Sequence, residues 1–219
     1  MPYMIHQEGM EWGQIFGGGK KRNADGVPLL TAAGAYVKDN VYFGSVLPMY
    51  TGGVQNSFSY KDVTLNFNID YQYGGKFVSL SNMWGSYSGL TARTATNNDL
   101  GNPIRDAVAD GGGVKVTGVD QTSGEPVTYY VEAKTYFQGL YNSQTFDDYV
   151  YDLSFVKLRE VSIGYNLPVQ KLGISKYVKN ANLSLVGRNL WLMYATTKDF
   201  DPSEVSAAEG ETAQLPGTR

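Results

Sequence analysis

The side chains best suited to contact a ligand are aromatic and amide groups rather than nucleophiles. Flat aromatic rings can stack on sugar faces while their polar edges stay free. A row of amides with one carboxylate could hydrogen-bond a hydrated ligand. The predicted ligand contacts are Trp84, Tyr87, Trp191, Tyr194, Asn66, Asn68, Asp70 and Gln72. The alternatives are that the aromatics pack loops or form an interfacial belt, and that the polar row only solvates a wall.

Catalytic and metal chemistry has little support in the sequence. The 219 residues include one histidine, His6, and no cysteine. This excludes disulfides, a histidine-based triad and a multi-histidine zinc site within the chain. Asp147-Asp148 and the carboxylates Asp199, Asp201 and Glu204 lack the EF-hand pattern, and we interpret them as solvated surface. We therefore predict no enzyme activity, no metal and no cofactor.

Composition favours strands and argues against nucleic acid as a partner. Charged residues make up 18% of the chain, which also has 17 Tyr, 9 Phe, 3 Trp and 26 Gly. This balance suits many strands joined by turns. The net charge is −3, and we interpret the one basic triplet, Lys20-Lys21-Arg22, as a solvated loop.

Residues 63–73 carry the clearest structural pattern. Apolar or aromatic side chains alternate with polar ones throughout, so one face is apolar and the other polar. The run is longer than a typical globular strand and matches the ~9–11 residues of a tilted strand that crosses a bilayer. The polar row would then face a wet lumen. The side chains predicted to face lipid are Val63, Leu65, Phe67, Ile69 and Tyr71.

A hairpin is predicted just before this strand. Residues 54–60 show the same alternation, and Lys61-Asp62 lies between the two runs. A two-residue turn there pairs Tyr60 with Val63 and brings the apolar side chains of both strands onto one face.

Further strands are predicted over 155–167 and 181–194. The first would turn Val161, Ile163 and Tyr165 toward lipid. Lys157 and Arg159 fall in the same apolar register, so we expect a bulge there or a strand end above the membrane. Residues 12–16 are a further candidate strand, and residues 214–219 have the pattern of a strand beginning.

Short and long connections alternate along these strands. The connections 61–62 and 168–180 are short or moderate, whereas 74–150 and 195–213 are long. Outer-membrane barrels have the same rhythm of periplasmic turns and extracellular loops. A short loop helix is predicted over 131–141. The alternative is a secreted soluble β-sandwich that binds carbohydrate, because sandwich strands also alternate.

Ordered motifs span nearly the whole chain. The most specific is residues 150–168, VYDLSFVKLREVSIGYNLP; others lie at 8–17, 25–28, 44–53, 57–61, 73–75, 187–190, 201–202 and 214–219. Residues 150–168 are close to D-A-S-F-L-R-L-R-N-V-T-L-G-Y-x-L-P, a stretch of SusC/RagA-type TonB-dependent outer-membrane proteins. The set resembles the C-terminal barrel region of that family.

The resemblance implies a fold and a role. The fold would be all-β, an antiparallel meander forming the C-terminal strands of a transmembrane barrel of about 22 strands with long extracellular loops. Residues 1–219 would be an incomplete C-terminal part, with the plug domain and the final strand absent. Family members sit in the cell outer membrane and import oligosaccharides, other glycans or peptides. The implied partners are a SusD-like surface lipoprotein, outer-membrane lipid and the TonB complex, which would act through the missing N-terminal region.

Overall fold

The computed structural model describes residues 1–205, so the predicted start of a strand at 214–219 lies outside the described residues. The described chain divides into two compact units. The first, here called the loop unit, comprises Met1–Leu47 and Lys76–Tyr151. The second, here called the strand unit, comprises Pro48–Gly75 and Asp152–Glu204.

Strands dominate the described residues, and two α-helices lie among them. In chain order the elements are β1 (Tyr3–Ile5), β2 (Gln14–Lys20), β3 (Leu29–Leu30), β4 (Lys38–Ser45), β5 (Pro48–Tyr60), β6 (Val63–Gly74), β7 (Lys76–Val78), α1 (Leu80–Tyr87), β8 (Val114–Asp120), β9 (Pro126–Val131), α2 (Ala133–Asn142), β10 (Val150–Asp152), β11 (Phe155–Asn166) and β12 (Asn182–Ala195). No helix of this part of the chain is long and apolar enough to cross a membrane.

The strand unit is a four-stranded antiparallel sheet with the order β12–β11–β6–β5. The predicted hairpin is confirmed, because Tyr60 pairs with Val63 and the alternation continues in register along both strands. Lys61 has φ 55°, in the left-handed region that tight two-residue hairpins use. The predicted strands 155–167 and 181–194 are confirmed as β11 and β12, each within a residue or so of its bounds.

The loop unit contains three small sheets and both helices. The sheets have the orders β1–β2–β4, β3–β8–β9 and β10–β7. The helix predicted over 131–141 is confirmed as α2, whereas no strand was predicted for residues 114–131, which form the β8–β9 hairpin. The predicted strand at 12–16 begins later, at Gln14, and continues to Lys20.

Two apolar clusters contribute to the core of the loop unit within the described residues. The larger one joins α1, α2 and the turn after α2 through Met83, Leu140, Phe146 and Tyr149, all of which are almost fully buried. The smaller one contains Ile104, Ala133 and Phe137. The long connection 74–150 is therefore a folded part of the molecule with its own interior, because its apolar side chains cover one another.

Gly18 shows why the glycine run of β2 matters for this packing. A side-chain carbon at Gly18 would lie 2.1 Å from the backbone oxygen of Gln144, which is far inside contact distance. The amide of Phe146 donates to the carbonyl of Gly18 at 3.1 Å. Because Gly18 has no side chain, the turn after α2 can lie directly on β2 at this position.

Candidate functional site

The four-stranded sheet has one apolar and one polar face, as the alternation predicts. Directly paired residues of neighbouring strands point to the same face, and Val161 pairs with Phe67 while Ile163 pairs with Leu65. The apolar side chains of this face are half-buried or exposed: Val63 is 43% exposed, and Ile163 is 49% exposed. A continuous apolar face that is open to this degree marks a site of membrane or protein contact. The face also includes Leu65, Ile69, Tyr71 and Tyr165.

Tyrosines mark both ends of this apolar face. Tyr60 and Tyr165 flank Val63 at the hairpin end, and Tyr73 stacks on Tyr50 at the other end with ring centroids 6.3 Å apart. The rise of ~3.3 Å per residue separates Val63 from Tyr73 by about 33 Å along the strand. A strand tilt of ~40° reduces this to about 25 Å, the height of the apolar band between aromatic girdles in outer-membrane barrels.

Trp191 and Tyr194 lie on this apolar face. Trp191 pairs with Leu158, which pairs in turn with Ile69, and Tyr194 pairs with Val156. Both aromatic side chains are exposed, at 61% and 55%. This placement favours the interfacial belt, the alternative to ligand stacking for these two residues.

The polar row of β6 makes hydrogen bonds across the opposite face. Asn66 donates to the Ser162 hydroxyl at 3.0 Å, and the Arg159 Nε donates to Asp70 at 2.8 Å. Gln72 donates to the Leu153 carbonyl at 3.2 Å. These bonds connect β6 to β11 and to the residues just before β11. The amide and carboxylate groups of the row are only half-buried. The row can therefore brace the wall and still present polar atoms to water.

Bulges explain the two basic residues that the alternation placed on the apolar face. The pairing of β11 shifts between Val156 and Lys157 and again between Leu158 and Glu160. Against β6 only the second shift occurs, with Arg159 as the extra residue, and it is this shift that pairs Lys157 with Asp70 on the polar face and puts Leu158 on the apolar side. The predicted bulge is confirmed, and it turns a cation away from the apolar face.

Lys157 anchors the segment that follows β12. Its ammonium lies 2.7 Å from Asp201 and 3.3 Å from Glu204, and it donates to Ser203 at 3.0 Å. The side chains of Lys157 and Asp201 are 3% and 6% exposed. Burial opposes ionisation of Asp201, but bonds from Lys157 and Ser203 outweigh it and hold the pKa of this carboxyl below its usual value. The interpretation of Asp201 as solvated surface is therefore wrong.

The basic triplet and the Asp147-Asp148 pair also form a structured cluster. Lys20 is 8% exposed, lies 2.7 Å from Asp148, and sits 4.1 Å from the ring centroid of Tyr36. Asp147 accepts from the backbone amide of Lys20 at 2.8 Å. The expectation that Lys20 and Asp148 are solvated groups is wrong, because they form an ion pair that is largely shielded from water. The two residues lie more than 120 positions apart in sequence, so no local pattern indicates this pair. Lys21 and Arg22 are exposed, as expected.

Trp84 and Tyr87 belong to an aromatic cluster in the loop unit. Both lie on α1 and contact Tyr141 of α2, with ring centroids 4.7 and 5.7 Å away. Trp84 is 42% exposed, so part of its ring remains open to a ligand. Tyr141 was not among the predicted ligand contacts, although its near-helical spacing from Phe137 placed both on one helix. The cluster is compatible with either predicted role, loop packing or ligand stacking.

Groups of acidic and imidazole side chains that could hold a metal ion are absent from residues 1–205.

Comparisons with known proteins agree with the motifs. No protein-family profile matches the chain. TonB-dependent receptor P26 of Formosa agariphila is 28% identical over 202 residues, which make up 90% of this chain and 17% of that receptor. The chain therefore spans about a sixth of the length of this relative.

Solved structures show the same fold. The RagAB peptide importer in its closed-closed state matches 98% of this chain and 23% of its own chain, with a TM-score of 0.54 and 16% identity. The open-open state gives a TM-score of 0.55 over the same shares. The proteins matched are receptors and transporters by name rather than enzymes. The predicted resemblance and the predicted fold are thus confirmed: this chain is similar in sequence to a TonB-dependent receptor and shares its fold with part of the RagAB importer.

Proposed function

We propose that this chain contributes wall strands and extracellular loops to a TonB-dependent transporter of the cell outer membrane. The observation that carries the proposal is the exposed apolar face of the β5–β6–β11–β12 sheet. The tyrosines at its two ends are separated by about the height of the apolar band in outer-membrane barrels. The opposite face bears hydrogen-bonded polar groups of the kind that a wet lumen accommodates. Residues 1–219 would form the C-terminal part of the barrel and its loops.

The cargo we propose is an oligosaccharide, another glycan or a peptide. The support is the motif resemblance, together with a fold shared with a structure described as a peptide importer. A SusD-like surface lipoprotein would bind the extracellular side, and the TonB complex would act through another region of the full-length receptor. Trp84 and Tyr87 are the proposed cargo contacts in the loop unit, and the polar row from Asn66 to Gln72 would line the path.

The exposed face argues against the soluble sandwich. A sandwich covers one face of each sheet with a second sheet about 10 Å away. In the described residues Val63, Ile163 and Leu185 of the apolar face are 43%, 49% and 76% exposed instead. A soluble domain would present this face to water at a high free-energy cost.

A pair of neighbouring substitutions tests the proposal. Phe67 lies close to the middle of the apolar face, and Asn68 is the next residue on the opposite face. We expect Phe67→Lys in the full-length receptor to block assembly into the outer membrane, because a basic residue at the bilayer midplane costs ~2–4 kcal/mol. Asn68→Lys should assemble normally, since its ammonium would face the lumen.

The measurement is the amount of heat-modifiable, folded receptor in purified outer membranes, followed by uptake of cargo by whole cells. Phe67→Leu serves as the control for loss of the ring, which stacks on Phe58 at 6.1 Å between centroids. Equal assembly of the two lysine variants would refute the assignment of the faces and, with it, the proposed membrane role.

A further inference from the structure

A cavity of about 530 Å³ opens between the end of α1 and the start of α2 in the loop unit. This volume is within the range of ~300–1,000 Å³ that small-molecule sites occupy. Tyr87 and Phe137 give the cavity aromatic walls, and Ser86, Ser88 and Gln138 add polar side chains. The charged side chains that line it are Arg105, Glu132 and Lys134.

Arg105 is held in a fixed position at this cavity. Its Nε donates to the Thr94 carbonyl at 2.7 Å, and its Nη2 donates to the Thr94 hydroxyl at 2.8 Å and to the Gly89 carbonyl. Within residues 1–205 its Nη1 makes no hydrogen bond or ion pair. A guanidinium whose orientation is already fixed loses little conformational entropy when it binds a planar anion.

The other two charges leave the cavity with an excess of positive charge. One carboxylate oxygen of Glu132 accepts from the backbone amide of Val108 at 2.9 Å. Lys134 is exposed, and its ammonium forms no ion pair within the described part of the chain. The cavity is therefore lined by two cations and one carboxylate, and that carboxylate already accepts a hydrogen bond from Val108. The excess of positive charge favours binding of an anionic group.

We propose that this cavity binds a carboxylate carried by the imported ligand, with Arg105 and Lys134 as its contacts and Tyr87 as an apolar wall. The inference rests on the proposed import function, because that function places the loop unit on the side of the membrane from which the ligand enters. A uronic-acid unit of an oligosaccharide and the C-terminal carboxylate of a peptide share this chemistry. Aromatic walls suit the carbon skeleton of either ligand.

Calorimetric titration of the purified full-length receptor in detergent tests the assignment. The probes are trigalacturonate and its methyl ester, whose carboxyl groups are neutral, and trialanine and its C-terminal amide. We expect the receptor to bind at least one free carboxylate about tenfold more tightly than its neutral counterpart. The member that binds identifies the source of the carboxylate.

Substitutions locate the binding in the cavity. Lys134→Gln removes an exposed charge and should weaken the bound probe about tenfold without lowering the melting temperature. Arg105→Gln should weaken binding at least as much, and Arg105→Lys should not restore it, because lysine cannot reproduce the fixed planar donor. Lys115→Gln is the matched control, because Lys115 pairs with Asp99 and does not line the cavity.

The result that would overturn the assignment is equal binding of charged and neutral probes, no binding of any probe, or binding that Lys134→Gln leaves unchanged. These outcomes do not bear on the import function. If Phe67→Lys blocked membrane assembly while the titrations failed, the carboxylate site would be rejected and the transporter proposal would stand.

Discussion

The strand unit and the loop unit use the same aromatic-rich composition in opposite ways. In the loop unit, Met83 and Tyr149 are each 1% exposed and lie in a core that the unit itself provides. In the strand unit, Val63 and Ile163 stay more than 40% exposed on a continuous apolar face. The contrast indicates that the loop unit can fold against itself in water, whereas the strand unit needs an apolar medium to cover its face.

The units share one device, a buried lysine–aspartate pair that ties distant segments together. Lys157 and Asp201 join β11 to the segment after β12, and Lys20 and Asp148 join β2 to the segment after α2. The first pair is the more deeply buried of the two, because Asp148 keeps a side-chain exposure of 25%. Substitutions that remove buried contacts in the two units should therefore destabilise them to different extents.

The largest effect is expected from Asp201→Asn in the strand unit. Removing one partner of a buried ion pair leaves the other charge uncompensated and costs ~3–5 kcal/mol. We expect the segment 196–204 to detach from β11 and become cleavable, as measured by limited proteolysis of receptor in outer-membrane vesicles. Glu204→Gln should have a much smaller effect, because the Glu204 side chain is 31% exposed. Equal protection of Asp201→Asn and the unsubstituted protein would contradict the anchoring role.

Gly18→Ala should come next and should act only on the loop unit. The added carbon would meet the Gln144 carbonyl at 2.1 Å, and a backbone atom cannot move aside as a flexible side chain does. Overpacking of this kind costs ~1–3 kcal/mol. The measurement is the urea concentration at the midpoint of unfolding of the loop unit. Tryptophan fluorescence monitors the unfolding, with Trp84 in the α1–α2 cluster as the reporter. An unchanged midpoint would mean that β2 and the turn after α2 are not in contact.

Sequence periodicity predicted the strand unit better than the loop unit, for a physical reason. The pairing of Tyr60 with Val63 follows from local alternation and a two-residue turn, so neighbouring residues contain the necessary information. The contact of Gly18 with Gln144 and the pair of Lys20 with Asp148 depend on residues far apart in sequence, and no local pattern encodes them. The bulge near Lys157 was one of two predicted outcomes, because a cation in an apolar register indicates either a bulge or a strand end above the membrane.

The candidate site was predictable to different degrees for its different parts. The polar row Asn66 to Gln72 lies on one face, as its period requires, and Trp84 and Tyr87 do come together. Trp191 and Tyr194 were harder to place, since one register shift of the β11–β12 pairing precedes Trp191 and a second precedes Tyr194. Arg105 escaped prediction because its role depends on hydrogen bonds to Gly89 and Thr94 that only the folded loop creates.

A smaller effect is expected from pH on the strand unit. Because the pKa of Asp201 is lowered in the folded protein, its ionised form stabilises the fold at all pH values above its usual pKa. This stabilisation is lost as the pH falls through the lowered value. Proteolysis of 196–204 by pepsin should accelerate at the acid end of a titration from pH 4 to pH 2. Asp201→Asn should show no such acceleration, and a parallel rise in both proteins would contradict the assignment to Asp201.

The smallest effect is expected from Gly139→Ala in α2, with the opposite sign to Gly18→Ala. Nothing lies within 4 Å of a carbon added at Gly139, and alanine is the better helix former by ~0.8–1 kcal/mol. The urea midpoint of the loop unit should therefore rise slightly. A fall would show that the outer face of α2 is covered by another part of the receptor.

The most direct test of the account is the environment of each residue from 63 to 73. This chain has no cysteine, so single cysteines can carry spin labels once any cysteine elsewhere in the full-length receptor is replaced by serine. Power-saturation measurements in lipid vesicles should show high oxygen accessibility at Leu65, Phe67 and Ile69 and high accessibility to a water-soluble nickel chelate at Asn66 and Asn68. Equal accessibility of the two sets to both reagents would contradict the claim that this strand separates lipid from water.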